Sequence, residues 1–438
     1  MKISSQILAV IFGALCAPFI FSCVQKTPAE KAAEEKILLA GNAADPASLD
    51  PSLSTGFNEY KILSSIFEGL VCADTRTLEI LPAAAKRWDI SHNGRTYVFH
   101  IDENAKWSDG SNVTAQDFVF AWRRTLNPKL GAEYASMLFP IKNARKINAG
   151  KADPSSLGAR AVSDSELQVE LEEPTPYFLS LLYHPSYFPL PKKTLEKFGA
   201  VESRDALWTR PNNIISNGPF ILSKWSINDR VCVRENPFYR DAANVKLNGV
   251  DFIPITNVNT EDRAFRAGQL HVTDSVAPSR IEGMVKNSPE VLHRNDWLGV
   301  YYYIVNTKVA PFDNPKVRRA LTMSIDRRAI IDSFLKAGQK PALTFVPSGC
   351  DGYAPESRAA IEENVARARA LAESDGDTRV ADLHLWRIGA HETALILSVV
   401  SGRGLFAEDY RKRFKDFPEL AHINVEVIPC RDPDCPCR

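Results

Sequence analysis

The sequence lacks a surplus of either charge, because 53 lysine and arginine residues are balanced by 53 aspartate and glutamate residues. Neutralising nucleic-acid phosphates takes an excess of lysine and arginine, so we expect no nucleic-acid partner. Cysteine is also scarce, with eight residues in 438, too few for a small fold held together by disulfides. What remains is an ordinary folded protein, 45% apolar and 24% charged. At about 150 residues per domain, its length allows two or three domains.

The start of the sequence lacks an apolar run long enough to span a membrane. Ile7 to Phe21 is fifteen residues without a charge, whereas a membrane-spanning helix needs about 20. Such a run after a short basic start is typical of a signal peptide, which we predict to cover residues 1–22. Residues 20–23 (I-F-S-C) resemble a bacterial lipobox, with phenylalanine where a small residue is usual. We therefore predict lipid attachment at Cys23, with plain secretory cleavage nearby as the alternative.

Residues 23–37 are predicted to form a lipid-anchored tether. From Gln25 to Lys36 the chain is mostly Lys, Glu, Ala and Pro, with almost nothing to bury, which is typical of a flexible linker. More than one lipid chain anchors a protein stably to a membrane. We therefore expect the protein in the bacterial cell envelope, anchored on the periplasmic side of the cytoplasmic membrane.

The sequence also lacks the usual motifs of enzymes. G-x-S-x-G does not occur, the eight histidines are scattered, and His391-Glu392 has no second histidine at the spacing of a zinc protease. Residues 402–407 fit G-x-G-x-x-A, but Arg403 would crowd the turn and too little chain follows for a dinucleotide-binding fold. We therefore predict neither an enzyme nor a cofactor.

The cysteines leave their pairing open. Six remain besides Cys16 in the leader and Cys23, namely Cys72, Cys232, Cys350, Cys430, Cys435 and Cys437. Six cysteines allow 15 pairings, so the sequence does not determine the connectivity. The last three have the spacing C-x4-C-x-C, but three thiols without a fourth ligand are an incomplete soft-metal site. We predict no metal centre.

Alternating strand and helix signals run through the body of the chain. Residues 95–101 are rich in β-branched and aromatic side chains with a period of two, and they follow an Asn-Gly turn. This pattern predicts a strand. Thr114 with Asp117 three residues later predicts a capped helix that ends before Asn127-Pro128. The patterns also predict strands at 167–171 and 231–233, helices beginning at Asn314-Pro315 and at Asp326, and a buried face made of Ile330, Ile331, Phe334 and Leu335 that ends at Gly338. The fold class is therefore mixed α/β.

Several segments in order carry a resemblance to a known family. They are A-D-P-A-S-L-D-P at 44–51, I-F-E-G-L at 66–70, W-S-D-G-S-N-V-T-A-Q-D-F at 107–118, N-G-P-F at 217–220, Y-Y-Y at 301–303 and P-K-V-R-R-A-L at 315–321. This arrangement resembles the extracellular solute-binding proteins of family 5, the oligopeptide-binding type that serves peptide ABC transporters. The similarity runs from about Leu38 to Ile428.

The resemblance implies a periplasmic-binding-protein type II fold: a two-lobed clamp with an extra domain inserted in lobe I. It assigns residues 38–67 and 191–294 to lobe I, 68–190 to the inserted domain and 295–438 to lobe II. Members hold an extended peptide between the lobes through backbone hydrogen bonds, and hinge closure presents the loaded protein to the permease subunits. Members also continue well beyond residue 427. The C-terminal part of lobe II and its return to lobe I are therefore expected to be missing.

The resemblance also implies the residues that face the ligand. These are Thr55, Phe57, Tyr134, Asp274, Tyr302 and His391, and for each of the three aromatic residues core packing is the alternative. Ile304 stands where peptide binders can carry an acidic residue, so a lysine side chain has no partner there. The missing part carries the aspartate that holds the peptide's α-amino group. Its loss would cost about ten- to a hundredfold in affinity.

The resulting hypothesis is a membrane-anchored, monomeric lipoprotein that captures short peptides and delivers them to an ABC importer. A binder of another ligand, such as nickel, haem or a cell-wall peptide, is one alternative. A surface lipoprotein that makes contacts without transport is another.

Overall fold

The computed structural model describes residues 26–204, 207–295, 297–342, 344–347, 358–387, 393–417 and 420–430. The chain divides into two compact units, Met1–Ala277 and Pro278–Arg438. Within the described ranges, no helix is long and apolar enough to cross a lipid bilayer.

The helices and strands alternate along the chain, as the sequence predicts. The helices are α1 (Pro28–Glu34), α2 (Phe57–Ile66), α3 (Ala115–Thr125), α4 (Ala144–Asn148), α5 (Phe178–Leu181), α6 (Lys192–Lys197), α7 (Val258–Arg266), α8 (Pro278–Asn287), α9 (Pro315–Ser324), α10 (Arg327–Ile330), α11 (Arg358–Ala372) and α12 (Ala407–Arg413). The strands are β1 (Ile37–Gly41), β2 (Val71–Ala73), β3 (Ile80–Pro82), β4 (Ala85–Ile90), β5 (Thr96–Ile101), β6 (Ala159–Ser163), β7 (Glu166–Glu170), β8 (Phe220–Ser226), β9 (Arg230–Glu235), β10 (Gly249–Ile253), β11 (Arg379–Arg387), β12 (Thr393–Ser401) and β13 (Leu420–Pro429). The predicted strands at 95–101, 167–171 and 231–233 correspond to β5, β7 and β9.

The first unit holds two four-stranded sheets. One has the order β1-β10-β9-β8, with β1 parallel to β10 and the other pairs antiparallel. The other has the order β4-β5-β7-β6 and is antiparallel throughout. The first sheet joins residues 37–41 to 220–253, and the second lies within residues 85–170. The boundaries of lobe I and of the inserted domain stay predictions.

Helix α3 confirms the capped helix predicted from Thr114. The Asp117 carboxylate accepts a hydrogen bond from the Thr114 backbone N–H at 2.8 Å, which satisfies one of the donors that a helix start leaves open. Phe118 and Trp122 are fully buried, and the Trp122 indole N–H donates to the Tyr187 carbonyl at 2.9 Å. The helix therefore fixes the core of the first unit through one apolar face.

Helix α1 differs from the expectation of a flexible tether over residues 23–37. Thr27 and Glu30 form a capping box at its start, and the Ala29 N–H donates to the Gly268 carbonyl at 2.9 Å. The His271 ring contacts the Ala29 carbonyl at 2.9 Å. Residues 28–34 are therefore attached to the first unit by hydrogen bonds that a composition rich in Lys, Glu and Ala does not reveal.

In the second unit, a three-stranded sheet of order β11-β12-β13 packs with α11 and α12. β12 is antiparallel to β11 and parallel to β13. A separate apolar core forms between them, which contains Ala368, Ala372, Leu385, Leu395, Leu397, Val399, Tyr410, Phe414, Phe417 and Val425.

The predicted buried face of Ile330, Ile331, Phe334 and Leu335 is wrong. Asp326 caps the start of α10, as predicted, because its carboxylate accepts from the Ala329 N–H at 2.9 Å. One π turn follows over Ile331–Leu335, and the helix ends at Lys336, which has a positive φ. This end lies two residues before Gly338. A π turn widens the helical period, so the apolar residues leave a single stripe, and Phe334 is 72% exposed.

Candidate functional site

Helix α2 organises the candidate site because its two faces have different surroundings. Its buried face contains Ile62, Leu63 and Ile66, which belong to the main core of the first unit. Phe57, Tyr60, Lys61 and Ser64 are three or four residues apart and so share the opposite face. None of these four side chains is buried. We call this set of four residues the α2 face.

Thr55 and Tyr134 meet at the N-terminal end of α2. The Tyr134 hydroxyl donates to the Thr55 carbonyl oxygen at 3.5 Å, and the Tyr134 ring stands edge-on to His184 with a centroid distance of 5.1 Å. Tyr134 remains 38% exposed. Burial lowers the pKa of His184, so its ring is neutral at pH 7 and packs against Tyr134 as an uncharged aromatic group. The Ser186 N–H donates to His184 Nδ1 at 3.2 Å and orients that ring.

Phe57 and Tyr60 form the aromatic first turn of the α2 face. Their rings are edge-to-face with centroids 6.2 Å apart, an arrangement that aromatic pairs favour. Phe57 is 60% exposed, so most of its ring is open to solvent. Burial, and then the Tyr183 phenol, raise the pKa of Tyr60. The Tyr60 hydroxyl therefore keeps its proton at neutral pH and can donate a hydrogen bond.

Lys61 and Asp274 place a charged pair on the second turn. Lys61 Nζ lies 2.5 Å from Asp274 Oδ1 and 3.2 Å from the Gly41 carbonyl oxygen. The two side chains are 31% and 28% exposed. Behind them, the buried Glu261 carboxylate accepts from the Asp274 N–H at 2.8 Å and from the Ser275 N–H at 3.5 Å. Glu261 therefore holds the loop that carries Asp274 against α7.

Two glycines make this close packing possible. A Cβ on Gly41 would lie 1.8 Å from Glu261 Oε1, and a Cβ on Gly56 would lie 2.1 Å from Glu59 Oε2. No side chain fits at such distances unless the carboxylate moves. At Gly41 the Asp274 backbone N also lies 2.9 Å from that position, so the strand end requires a residue without a side chain, whereas at Gly56 the crowding atoms are the ends of the Glu59 and Asn58 side chains.

Four of the six predicted ligand-facing residues thus lie on or beside α2: Phe57 belongs to the α2 face, Asp274 is bonded to Lys61 of that face, and Thr55 and Tyr134 meet at the N-terminal end of the helix. Tyr302 lies in the second unit, where its half-exposed ring is 4.9 Å from Phe345 and edge-on to it. His391 and the predicted lipid site Cys23 lie outside the described residues.

Sequence reasoning missed Tyr60, Lys61, His184 and Glu261. Helical spacing from Phe57 could have indicated Tyr60 and Lys61, because positions three and four residues along a helix share a face. His184 and Glu261 have no local signal, because they reach the site only through the tertiary fold.

The arrangement combines exposed aromatic rings, hydroxyl groups and one ion pair. Such groups bind apolar side chains by stacking and polar groups by hydrogen bonds. Among the described residues, no three His, Cys, Asp or Glu side chains form a cluster that could hold a metal ion.

Comparison with known proteins gives a family match over most of the chain. Residues 79–403 match the family described as bacterial extracellular solute-binding proteins, family 5 Middle. The periplasmic oligopeptide-binding protein OppA of Salmonella typhimurium is 35% identical over 351 residues, which cover 80% of this chain and 63% of that protein. The periplasmic murein peptide-binding protein MppA of Escherichia coli is 35% identical over 350 residues, which cover 78% and 64%. The chain thus spans less than two thirds of the length of these relatives.

Solved structures show the same relationship. The murein tripeptide-binding protein MppA of Escherichia coli superposes with a TM-score of 0.69 at 32% identity, covering 90% of this chain and 74% of that one. Haemophilus influenzae OppA in complex with RPPGFSPFR gives a TM-score of 0.68 at 30% identity, covering 91% and 76%. The mixed α/β fold predicted from the sequence, of the periplasmic-binding-protein type II class, is therefore confirmed. The chain belongs to the bacterial extracellular solute-binding proteins of family 5.

Proposed function

We propose that this protein captures oligopeptides outside the cytoplasm and delivers them to the permease of an ABC importer. The observation that carries the proposal is the convergence of Thr55, Phe57, Tyr134 and Asp274 on the α2 face, in a chain of a solute-binding family. Tyr134 and Asp274 lie far from Thr55 and Phe57 in sequence, and only the fold brings them to the same helix. Binding and release involve no covalent step, so the protein is a carrier and not an enzyme.

The chemistry of the α2 face suits a peptide. Phe57 and Tyr60 offer rings to an apolar side chain, and the Tyr60 hydroxyl can donate to a peptide carbonyl. Asp274, in a partly exposed ion pair with Lys61, adds a charged acceptor beside these rings. A mixed surface of this kind recognises the common features of peptides and leaves most of their sequence free.

The comparisons favour a second candidate, a cell-wall peptide. MppA, whose name specifies murein peptide binding, is similar in both sequence and structure. Another relative, 36% identical over 350 residues, is named a probable deoxycholate-binding periplasmic protein. A murein tripeptide and deoxycholate therefore belong beside ordinary peptides in any ligand screen.

Titration calorimetry of the purified chain with pooled di- to pentapeptides tests the proposal. We expect saturable heat and a rise in melting temperature, because a ligand that binds only the native state stabilises it. Phe57→Ala and Tyr134→Ala should each weaken binding about 5- to 30-fold, because loss of an aromatic contact typically costs about 1–2 kcal/mol. Ile90→Ala, at an exposed position of β4, is the control and should leave binding unchanged. No heat and no thermal shift with any pool would refute peptide binding.

We further propose that residues 1–22 are removed as a signal peptide and that Cys23 carries the lipid that anchors a monomer on the periplasmic side of the membrane. Two observations support this: the uncharged run before Cys23, and the description of the relatives OppA and MppA as periplasmic proteins. The intact mass of the native protein tests it. A mass that begins at Cys23 with added acyl chains is expected, and Cys23→Ser should abolish both the added mass and membrane fractionation.

A further inference from the structure

The charged groups beside the α2 face do not cancel. Lys61 supplies one ammonium group, whereas Asp274 and Glu261 supply two carboxylates within the same hydrogen-bonded cluster. Burial raises the pKa of Glu261, but two backbone N–H groups donate to its carboxylate and favour the ionised form. With all three groups charged, the cluster carries a net charge of −1.

The two oxygens of Asp274 have different surroundings. Oδ1 accepts from Lys61 at 2.5 Å. Oδ2 accepts from the Ser275 hydroxyl at 3.1 Å, a neutral donor. Two carboxylate oxygens offer about four lone-pair positions, and within the described part of the chain the hydrogen bonds of the side chain fill only two. The carboxylate therefore has acceptor capacity on the side away from Lys61.

Lys61 is held in place and cannot turn freely toward a ligand anion. Its Nζ donates both to Asp274 and to the Gly41 carbonyl oxygen at 3.2 Å, and Gly41 is itself packed against Glu261. A ligand anion at this position would reach one ammonium group that is already bonded and would lie close to two carboxylates. A ligand cation could bind Asp274 Oδ2, which among the hydrogen bonds of the described residues accepts only from the neutral Ser275 hydroxyl.

We propose that Asp274 sets a charge preference by holding a cationic group of the ligand, either an α-ammonium group or a lysine or arginine side chain. This inference rests on the proposed function, because it assumes that the ligand lies along the α2 face. It differs from the expectation at Ile304, where a basic side chain finds no partner. The proposed preference for a cationic group therefore resides at Asp274 in the first unit and not at Ile304.

Calorimetry with matched tripeptides tests the assignment: Ala-Lys-Ala against Ala-norleucine-Ala, each with a free and with an acetylated amino terminus. The wild-type chain should bind at least one cationic peptide about 3- to 10-fold more tightly than its matched uncharged peptide. This ratio lies between the gain in affinity expected from a solvent-screened ion pair and that from a desolvated one. Loss on acetylation identifies the α-ammonium group as the source, and loss on the change to norleucine identifies the side chain.

Asp274→Asn should reduce this ratio to about 1, and Lys61→Met should increase it because the competing ammonium group is removed. Asp89→Asn, on strand β4, is the matched charge control and should leave the ratio as in the wild type. Circular dichroism checks that each variant is folded, and the opposite directions expected for the two site variants separate a charge effect from general damage. A ratio unchanged in Asp274→Asn overturns the inference while peptide binding stands. If the wild type binds none of these peptides or the pooled ones, the proposed function fails first.

Discussion

The ion pair between Asp50 and Arg124 gives the sharpest stability prediction. Arg124 Nη1 and Nη2 lie 2.9 Å and 2.7 Å from the two carboxylate oxygens of Asp50, and the side chains are 1% and 0% exposed. Arg124 also donates to the carbonyl oxygens of Ala200 and Val201 at 3.0–3.2 Å. One guanidinium group therefore connects three chain segments inside the first unit.

We expect Arg124→Met to destabilise the first unit by about 3–5 kcal/mol, because it leaves a buried carboxylate without its cation. At about 2–4 °C per kcal/mol for a domain of this size, its melting temperature should fall by roughly 6–20 °C. Lys129 and Glu202 form the control pair, since both are exposed and lie 3.2 Å apart. Lys129→Ala should cost less than about 1 kcal/mol.

Urea unfolding followed by tryptophan fluorescence measures the difference, because Trp122 and Trp208 are both buried in the first unit. The slope with urea should stay the same, so that the midpoint reports stability. Adding Asp50→Asn to Arg124→Met should recover part of the loss, because the amide keeps the hydrogen bond from the Ser52 N–H at 3.0 Å without a buried charge. A cost for Arg124→Met as small as that for Lys129→Ala would refute the reasoning.

Two further predictions follow from local geometry. Burial opposes ionisation of Asp375, but hydrogen bonds from Thr378 and Arg413 hold the pKa of its carboxyl well below its usual range. Its contribution to the stability of the second unit is therefore present above about pH 4 and is lost as the pH falls below that value. Melting curves between pH 2 and 7 should show a smaller fall of melting temperature with acid in Asp375→Asn than in the wild type, and an equal fall would contradict this. Gly56→Ala should destabilise the first unit by about 1–3 kcal/mol, because the new Cβ would contact Glu59 Oε2 too closely. The control Gly283→Ala, in α8 with open space around it, should be neutral or stabilising by up to about 1 kcal/mol. Equal changes of stability for the two variants in thermal unfolding would show that the contact at Gly56 is unimportant.

The elements that could be predicted from sequence are those fixed by neighbouring residues. Helix α3 carries its own start signal in Thr114 and Asp117 and its own apolar stripe, so no distant residue is needed to specify it. The segment from Ile330 to Leu335 has a similar stripe but lies largely exposed. A periodic pattern shows which residues can be buried, but it does not show whether another element covers them or where a π turn shifts the period.

The candidate site was predictable only in part for the same reason. Resemblance supplied Thr55, Phe57, Tyr134 and Asp274, but their partners come from distant positions: Lys61 and Asp274 are 213 residues apart. A lysine on an exposed helical face is usually only solvated, and nothing around Glu261 in the sequence indicates that it supports the loop at Asp274. Charge partners of this kind follow from tertiary packing, which composition and spacing do not encode.

Helix α2 links the stability of the protein to its proposed binding role, and the two faces of the helix make these properties separable. Ile62, Leu63 and Ile66 fix the helix in the core with no exposed surface, so the opposite face is presented on a rigid support. Side chains on a rigid element lose little conformational freedom when a ligand binds, which favours affinity. Changes at Phe57 and Lys61 should therefore alter binding with little effect on unfolding. A change at Ile62 should lower stability first, and it should weaken binding only as far as the helix moves.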